Sequence, residues 1–250
     1  MGNITIRFYA ELNDFLPERL RQVAFSHEMP GTGAVKDVIE SLGVPHTEVD
    51  LILVNGVPVG FSHPVRDGDV VSVYPVFESF DIAGVSKVRP EPLREIRFVA
   101  DCHLGRLAAY LRMVGFDTLY QNDCPDKTLA EISEREHRIL LTRDRGLLKR
   151  SMVTHGYYVR SQAPRAQLEE VSARFHLAGK MRPFSRCMAC NALLHQATKE
   201  EVYERLPERI REEFSEFSAC PSCGRVYWRG SHYDRMRRLV QVVCSERPEV

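Results

Sequence analysis

Hydrophobic and polar residues alternate at period two from Asn3 to Tyr9, so that Ile4, Ile6 and Phe8 mark the buried face of a strand. A second strand is expected near Gln22 to His27. After Gly31-Thr32-Gly33 the period lengthens: Val35, Val38, Ile39 and Leu42 form one face of a helix that Gly43 closes. Two apolar runs, Leu51 to Val54 and Val57 to Val59, flank Asn55-Gly56, a pair that suits a tight hairpin because both central positions take positive φ. Asp67-Gly68 makes another turn before Val70 to Tyr74, and the last strand is read on through Pro75, Val76 and Phe77. From Phe80 to Glu95, Gly84, Pro90 and Pro92 interrupt any period and mark a linker. Beyond it strand and helix patterns alternate. An apolar strand, Ile96 to Ala100, leads to a helix carrying Leu104, Leu107, Ala108, Leu111 and Val114 at three-and-four spacing up to Gly115. Then come a strand at Thr118 to Gln121, a helix at Thr128 to His137, a strand at Arg138 to Thr142, a helix from Gly146, a strand at Tyr157 to Arg160 and a helix at Arg165 to Phe175. The alternation predicts an α/β core with a parallel, doubly wound sheet.

The order of the first elements, strand, strand, helix, strands, predicts a β-grasp domain over residues 1–80. A linker at 81–95, an α/β core at 96–180 and a cysteine-bearing module at 181–245 complete the expected organisation. A composition of 44% hydrophobic and 27% charged residues is that of a globular protein and excludes a collagen-like or low-complexity chain. No apolar run approaches the roughly 20 residues needed to span a bilayer, and the start lacks a charged segment followed by an apolar block. A cytoplasmic protein without a membrane partner is therefore expected. Residues 1–80 carry 5 Lys+Arg against 11 Asp+Glu, a net of −6, whereas residues 81–250 carry 29 against 23, a net of +6. The basic remainder is compatible with a polyanionic partner.

Seven cysteines, an odd number, argue against a disulfide framework. Four form two pairs, Cys187-Met188-Ala189-Cys190 and Cys220-Pro221-Ser222-Cys223, whose spacing suits two knuckles around one tetrahedral zinc ion. A closed four-sulfur site leaves no place for a catalytic water, so this zinc is read as structural. Cys102, Cys124 and Cys244 are read as small buried thiols. Between the pairs, Lys199 to Phe217 is charged and is read as a helical insertion.

Asp101 and Asp144 each follow an apolar strand at its carboxyl end, where ligands collect in open α/β sheets. Two carboxylates brought together there repel unless a divalent cation joins them, and oxygen-only ligation favours magnesium or manganese. Asp126 starts the intervening helix and joins this set or serves as a cap. The same capping role is open to Asp101. Arg106, Arg112, Arg143 and Arg145 flank the acids and are candidate phosphate contacts. Trp228 and His232, with Tyr227, Tyr233, Arg229 and the run Arg235 to Arg238, combine rings with positive charge, as single-stranded RNA requires. Trp228 equally suits packing against the zinc module.

These motifs carry two resemblances. Residues 1–80, with the Val54-Asn55-Gly56 turn and Asp67-Gly68-Asp69-Val70, resemble the ubiquitin-like sulfur carriers, but the strand after Tyr74 continues instead of ending in a free diglycine, which disfavours sulfur transfer. The run Ala100-Asp101, Leu104 to Ala108, Leu111 to Asp117 and Arg138 to Asp144 resembles the Mut-seven C-terminal RNase family, whose core is PIN-like. Cys187 to Asn191, the second cysteine pair and Tyr227 to His232 are similar to its zinc ribbon. That family is also known with a ubiquitin-like N-terminal domain. The resemblance implies metal-dependent, endonucleolytic RNA hydrolysis, with Asp101 and Asp144 as magnesium or manganese ligands assisted by Asp126. Asp117, Asp123 and Glu131 are candidates for a further acid. The alternative is a non-catalytic RNA-binding adaptor whose β-grasp head docks a partner protein.

Overall fold

The computed structural model describes residues 2–29, 31–75, 84–88, 93 and 95–245, with backbone alone at 244 and 245. The expected strand continuation through Val76 and Phe77, the linker residues Pro90 and Pro92, and the Cys244 side chain lie outside the described residues. The chain divides into two compact units. One is formed by Met1–Arg94 and Pro125–Tyr158, the other by Glu95–Cys124 and Val159–Val250.

The first segment holds β1 (Gly2–Phe8), β2 (Phe25–Met29), β3 (Gly33–Ala34), α1 (Val35–Ser41), β4 (Leu51–Val54), β5 (Val57–Pro58), β6 (Pro64–Val65) and β7 (Val70–Tyr74). Five of the strands form one sheet in the order β2-β1-β7-β4-β5, and β3 pairs with β6. The central β1 and β7 run parallel and the flanking pairs antiparallel, with Val35, Val38 and Ile39 of α1 in one core with Ile4, Ile6 and Phe8. This is the β-grasp arrangement that the alternation predicts. The hairpin turn is made as its residues demand, with φ of +50° at Asn55 and +79° at Gly56. The second strand starts at Phe25, later than the pattern suggests. Gln22 takes φ of +61° and its N–H donates to Asn13 Oδ1 at 2.7 Å, which turns the chain before pairing begins.

Beyond residue 95 follow β8 (Phe98–Ala100), α2 (Gly105–Met113), β9 (Thr118–Tyr120), α3 (Asp126–Glu136), β10 (Ile139–Thr142), α4 (Arg145–Leu148), β11 (Gly156–Tyr158) and α5 (Pro164–Arg174). Then come β12 (His195–Ala197), α6 (Lys199–Val202), α7 (Glu208–Glu213), β13 (Phe217–Ala219), β14 (Val226–Trp228) and α8 (Ser231–Ser245).

In the first unit β10 and β11 form a parallel pair, with Leu141 opposite Tyr157, and α3 packs on β10. Four side chains bind this layer to the β-grasp core. Arg145 donates from Nη1 to the Phe15 carbonyl at 3.0 Å and from Nη2 to that of Asp14 at 3.3 Å, and its guanidinium lies 4.9 Å from the Phe15 ring centre. Lys149 Nζ donates to the Glu40 carbonyl at 2.6 Å, and the Tyr158 N–H donates to Glu48 at 2.7 Å. His46 stands between Glu40, 2.7 Å from Nδ1, and the Val153 carbonyl, 2.9 Å from Nε2. Burial pushes the His46 imidazole below its ordinary value and Lys36 adds to this, while Glu40 and the Val153 carbonyl oppose it.

In the second unit β8 and β9 form another parallel pair, Phe98 opposite Thr118, and α2 packs on α5. Leu104, Leu107, Ala108, Leu111 and Val114 are buried, as their spacing predicts. Gly115 has φ of +102°, and a Cβ there would collide with the backbone of Arg182. The chain can therefore return across the end of α2, where the Phe184 N–H donates to the Met113 carbonyl at 2.7 Å. An antiparallel sheet, β12-β13-β14, carries the cysteine module. The segment read as one helical insertion is α6, a 3-10 turn and α7, because Pro207 cannot continue a helix, and Phe217 opens β13.

Candidate functional site

The two cysteine loops repeat one hydrogen-bonding pattern. The Cys187 N–H donates to the Ala192 carbonyl at 2.8 Å, and the Asn191 N–H returns to the Cys187 carbonyl at 2.9 Å. In the second loop the Cys220 N–H donates to the Arg225 carbonyl at 2.9 Å, and the Gly224 N–H to the Cys220 carbonyl at 3.1 Å. Each loop closes on a residue with positive φ, Asn191 at +74° and Gly224 at +72°, two of the residue types that tolerate that region. The loops bring four thiols together. Cys187 Sγ lies 3.5 Å from Cys223 Sγ and Cys190 Sγ 3.3 Å from Cys220 Sγ, and all four sulfurs lie within 4.8 Å of one another. A tetrahedral ion with metal–sulfur bonds of about 2.3 Å places sulfurs about 3.8 Å apart, so the quartet can hold a metal of the zinc type. The distances are far beyond the roughly 2.05 Å of a disulfide. Burial alone would push the Cys187 thiol up. The Tyr227 hydroxyl, 3.1 Å from Sγ, with the backbone N–H groups of Cys190 and Ala189 and the Cys223 thiol, brings it down to about 6. The Arg225 backbone N–H lowers the Cys223 thiol, but desolvation and hydrogen bonds shared with the other three thiols outweigh it and push it up to about 12. Among the described residues, this quartet is the one group of three or more cysteine, histidine or carboxylate side chains packed so closely.

Arg112 belongs to this module and not to a phosphate site. Its side chain is buried, with Nε donating to the Thr118 carbonyl at 2.9 Å and Nη1 to the carbonyls of Met188 and Ala189 at 3.2 and 2.8 Å. Asn191 adds a second clamp: its Oδ1 accepts from the Thr118 N–H at 3.0 Å and its Nδ2 donates to Asp117 at 2.8 Å. Asp117 also lies 3.5 Å from Arg186, so it anchors the cysteine loop instead of serving as a further acid. The sequence signal for this was the asparagine directly after the second cysteine.

Asp101 and Asp144 each stand just past the carboxyl end of a parallel strand in their own units, Asp101 buried and Asp144 exposed. Asp101 directly follows β8, is buried, and accepts from the Cys102 N–H at 2.5 Å at the head of a 3-10 turn. Asp144 follows β10 by one residue and caps α4, its Oδ1 accepting from the Gly146 and Leu147 N–H groups at 2.6 and 3.4 Å. Asp126 is exposed as the first residue of α3, which starts two residues earlier than the pattern suggests. The cap position falls on Pro125, so Asp126 is not the cap. Glu131 faces Lys127 at 3.8 Å along α3, and Asp123 is exposed in the turn before it. Arg106 is exposed one turn beyond Asp101 and Arg143 is half-buried beside Asp144, whereas Arg145 is engaged with Phe15 and Asp14 and leaves the phosphate set. Cys102 and Cys124 are half-buried, their thiols pushed up chiefly by the Asp101 carboxylate and by burial respectively, which suits small inert thiols.

A cleft of about 990 Å³ opens within the second unit beside the cysteine module, lined by Phe184, Tyr227, Trp228 and Tyr233 among others. Trp228 both lines it and packs on the small core of Val202, Leu206 and Phe217. His232 is exposed in the first turn of α8, outside the lining.

A family model described as the Mut7-C RNAse domain matches residues 96–240, and one described as Mut7-C ubiquitin matches residues 1–81. No curated protein and no solved structure matches the chain. Among the described residues no helix is long and apolar enough to cross a membrane.

Proposed function

We propose, for a chain that belongs to the Mut7-C RNase family, that it is a cytoplasmic, metal-dependent ribonuclease that cleaves RNA internally, with Asp101 and Asp144 as its principal acids and Asp126 assisting. The observation that carries this reading is the shared placement of the two acids. Each stands at the carboxyl end of a parallel strand, where α/β folds place their chemistry, with its carboxylate oriented by a backbone N–H. Carboxylate oxygens are hard donors suited to magnesium or manganese. A bound divalent ion would neutralise charge on the phosphodiester and lower the pKa of its water. Asp101 and Asp144 each offer hard oxygens to such an ion, and the backbone bonds to each carboxylate fix an oxygen in advance. Arg106 and Arg143 offer positive charge to the phosphates of the RNA. The cysteine quartet takes zinc and keeps the fold of the C-terminal module, leaving no ligand position for chemistry.

Asparagine retains the capping geometry of aspartate but not its charge, so Asp101→Asn and Asp144→Asn separate chemistry from folding. Manganese-dependent cleavage of a mixed RNA pool by the zinc-loaded protein is expected to fall by about 100-fold or more in either variant, a loss of the order found for removed charge-stabilising groups. Activity equal to the parent's would end the assignment. The capping bonds themselves favour a second reading, in which both acids are structural and the protein is an RNA-binding adaptor. Binding without cleavage in parent and variants alike is its signature.

A further inference from the structure

The cleft beside the cysteine quartet joins ring faces to positive charge in a way that the two acids do not use. Tyr233 on α8 faces Phe184 with ring centres 4.6 Å apart and planes tilted by 42°, so its ring is held in place before any ligand arrives. Trp228 packs on the core of Val202, Leu206 and Phe217, which holds its ring in place. A Cβ at residue 230 would stand 3.1 Å from Trp228 Nε1, and Gly230 leaves that edge of the indole open. At about 990 Å³ the cleft is at the top of the roughly 300–1,000 Å³ range of small-ligand pockets, which is room for more than one base.

Charge points to an anionic strand. Lys199 and Arg229 line the cleft beside Glu200 and Glu216, and the excess of positive charge comes from α8, which exposes Arg235, Arg237 and Arg238 against Asp234. Arg229 pairs with Glu216 at 3.2 Å, but both side chains are about 70% exposed (69% and 71%), so the pair is weak and can be exchanged for a phosphate. Arg186 also lines the cleft, but it is committed to Asp117 and the Asn191 carbonyl.

We propose that this cleft is a subsite for single-stranded RNA, in which Trp228 and Tyr233 stack unpaired bases while Lys199 and Arg229 hold the intervening phosphates. The proposal rests on the ribonuclease reading for the identity of its ligand and names where the uncleaved strand is gripped. Stacking of this kind tolerates any base, since every base has a π-face, and it excludes duplexes, whose bases already stack on one another.

The chain has a single tryptophan, so its intrinsic tryptophan fluorescence reports on this cleft alone. The zinc-loaded full chain carrying Asp101→Asn is titrated, without added magnesium or manganese, with oligouridylate and with a duplex RNA of similar length. Saturable quenching by the single strand and none by the duplex is expected. Tyr233→Ala is expected to weaken binding, read by anisotropy, by roughly five- to a hundredfold with zinc content unchanged. Trp228→Phe, which keeps a stacking face and the packing behind it, retains binding within a few-fold of the parent, and Trp228→Ala loses it. Absent quenching, equal quenching by the duplex, or unchanged binding by Tyr233→Ala overturns the proposal. Failure of the two readings is distinguishable. Quenching by a parent protein that never cleaves removes the nuclease and leaves the cleft, and cleavage lost in Asp101→Asn without quenching does the reverse.

Discussion

Three carbonyl oxygens converge on the Arg112 guanidinium, two of them from the first cysteine loop, and no acid in the second unit is needed to explain its burial. An arginine at the edge of an apolar helix face gives the same sequence pattern whether it meets a phosphate or a carbonyl, so its role was not legible before the fold. Arg112→Met would leave these carbonyls without donors in a buried place. The expected cost is about 3 kcal/mol of stability, measured by denaturant unfolding of the zinc-loaded protein. A loss under about 0.5 kcal/mol would show that water replaces the guanidinium. Asn191 was half-legible. Its place after Cys190 marks it, but its pair of hydrogen bonds, with Asp117 and Thr118, depends on partners some 70 residues away in sequence. The helix pattern makes Gly115 a helix stop, and the structure adds that no side chain fits against Arg182 there.

At the scale of elements, alternation and turn chemistry revealed most of the β-grasp and of the strand-helix series, because buried faces repeat with the period of the element that buries them. Where local pattern misled, a single residue decided: Asn13 held Gln22 out of β2, and Pro207 divided the insertion into two helices. The paired cysteine loops were legible as a metal module, but the tyrosine that tunes them was not, since Tyr227 lies 40 residues from Cys187 in sequence. A pH dependence follows. The ordinary thiol value is 9.0 and the folded Cys187 lies at about 6, so the thiolate is favoured by folding. The stability it lends is complete above the ordinary value, declines below it and is lost as the pH falls through about 6. Metal uptake by the metal-free protein, followed with a chromogenic chelator, is expected to weaken steeply through that range, and Tyr227→Phe should move the midpoint to higher pH. Superimposable profiles would show that the hydroxyl does nothing for the thiolate.

On the scale of the molecule, residues 125–158 pack with the β-grasp head although the family match assigns them to the RNase domain. No local pattern announces this, because Arg145, Lys149 and His46 look like ordinary surface charges until their partners are known. The head face that carries Phe15, Glu40, His46 and Glu48 is thus already occupied, and a docking protein would have to use another. A fragment beginning at residue 95 would lose these bonds and expose Tyr158, which packs on the head core. It is expected to elute as aggregate or to melt well below the full chain in size-exclusion and thermal measurements, whereas a monomeric fragment of parental stability would show that the head is dispensable to the layer it covers. The split composition of the first unit also sets a timetable on the ribosome. The head emerges first but must wait for Tyr158 before its last layer exists, a delay of several seconds at roughly 5–20 residues per second. During that interval the nascent head presents an unfinished apolar surface, and slower translation between residues 95 and 158 would lengthen its exposure.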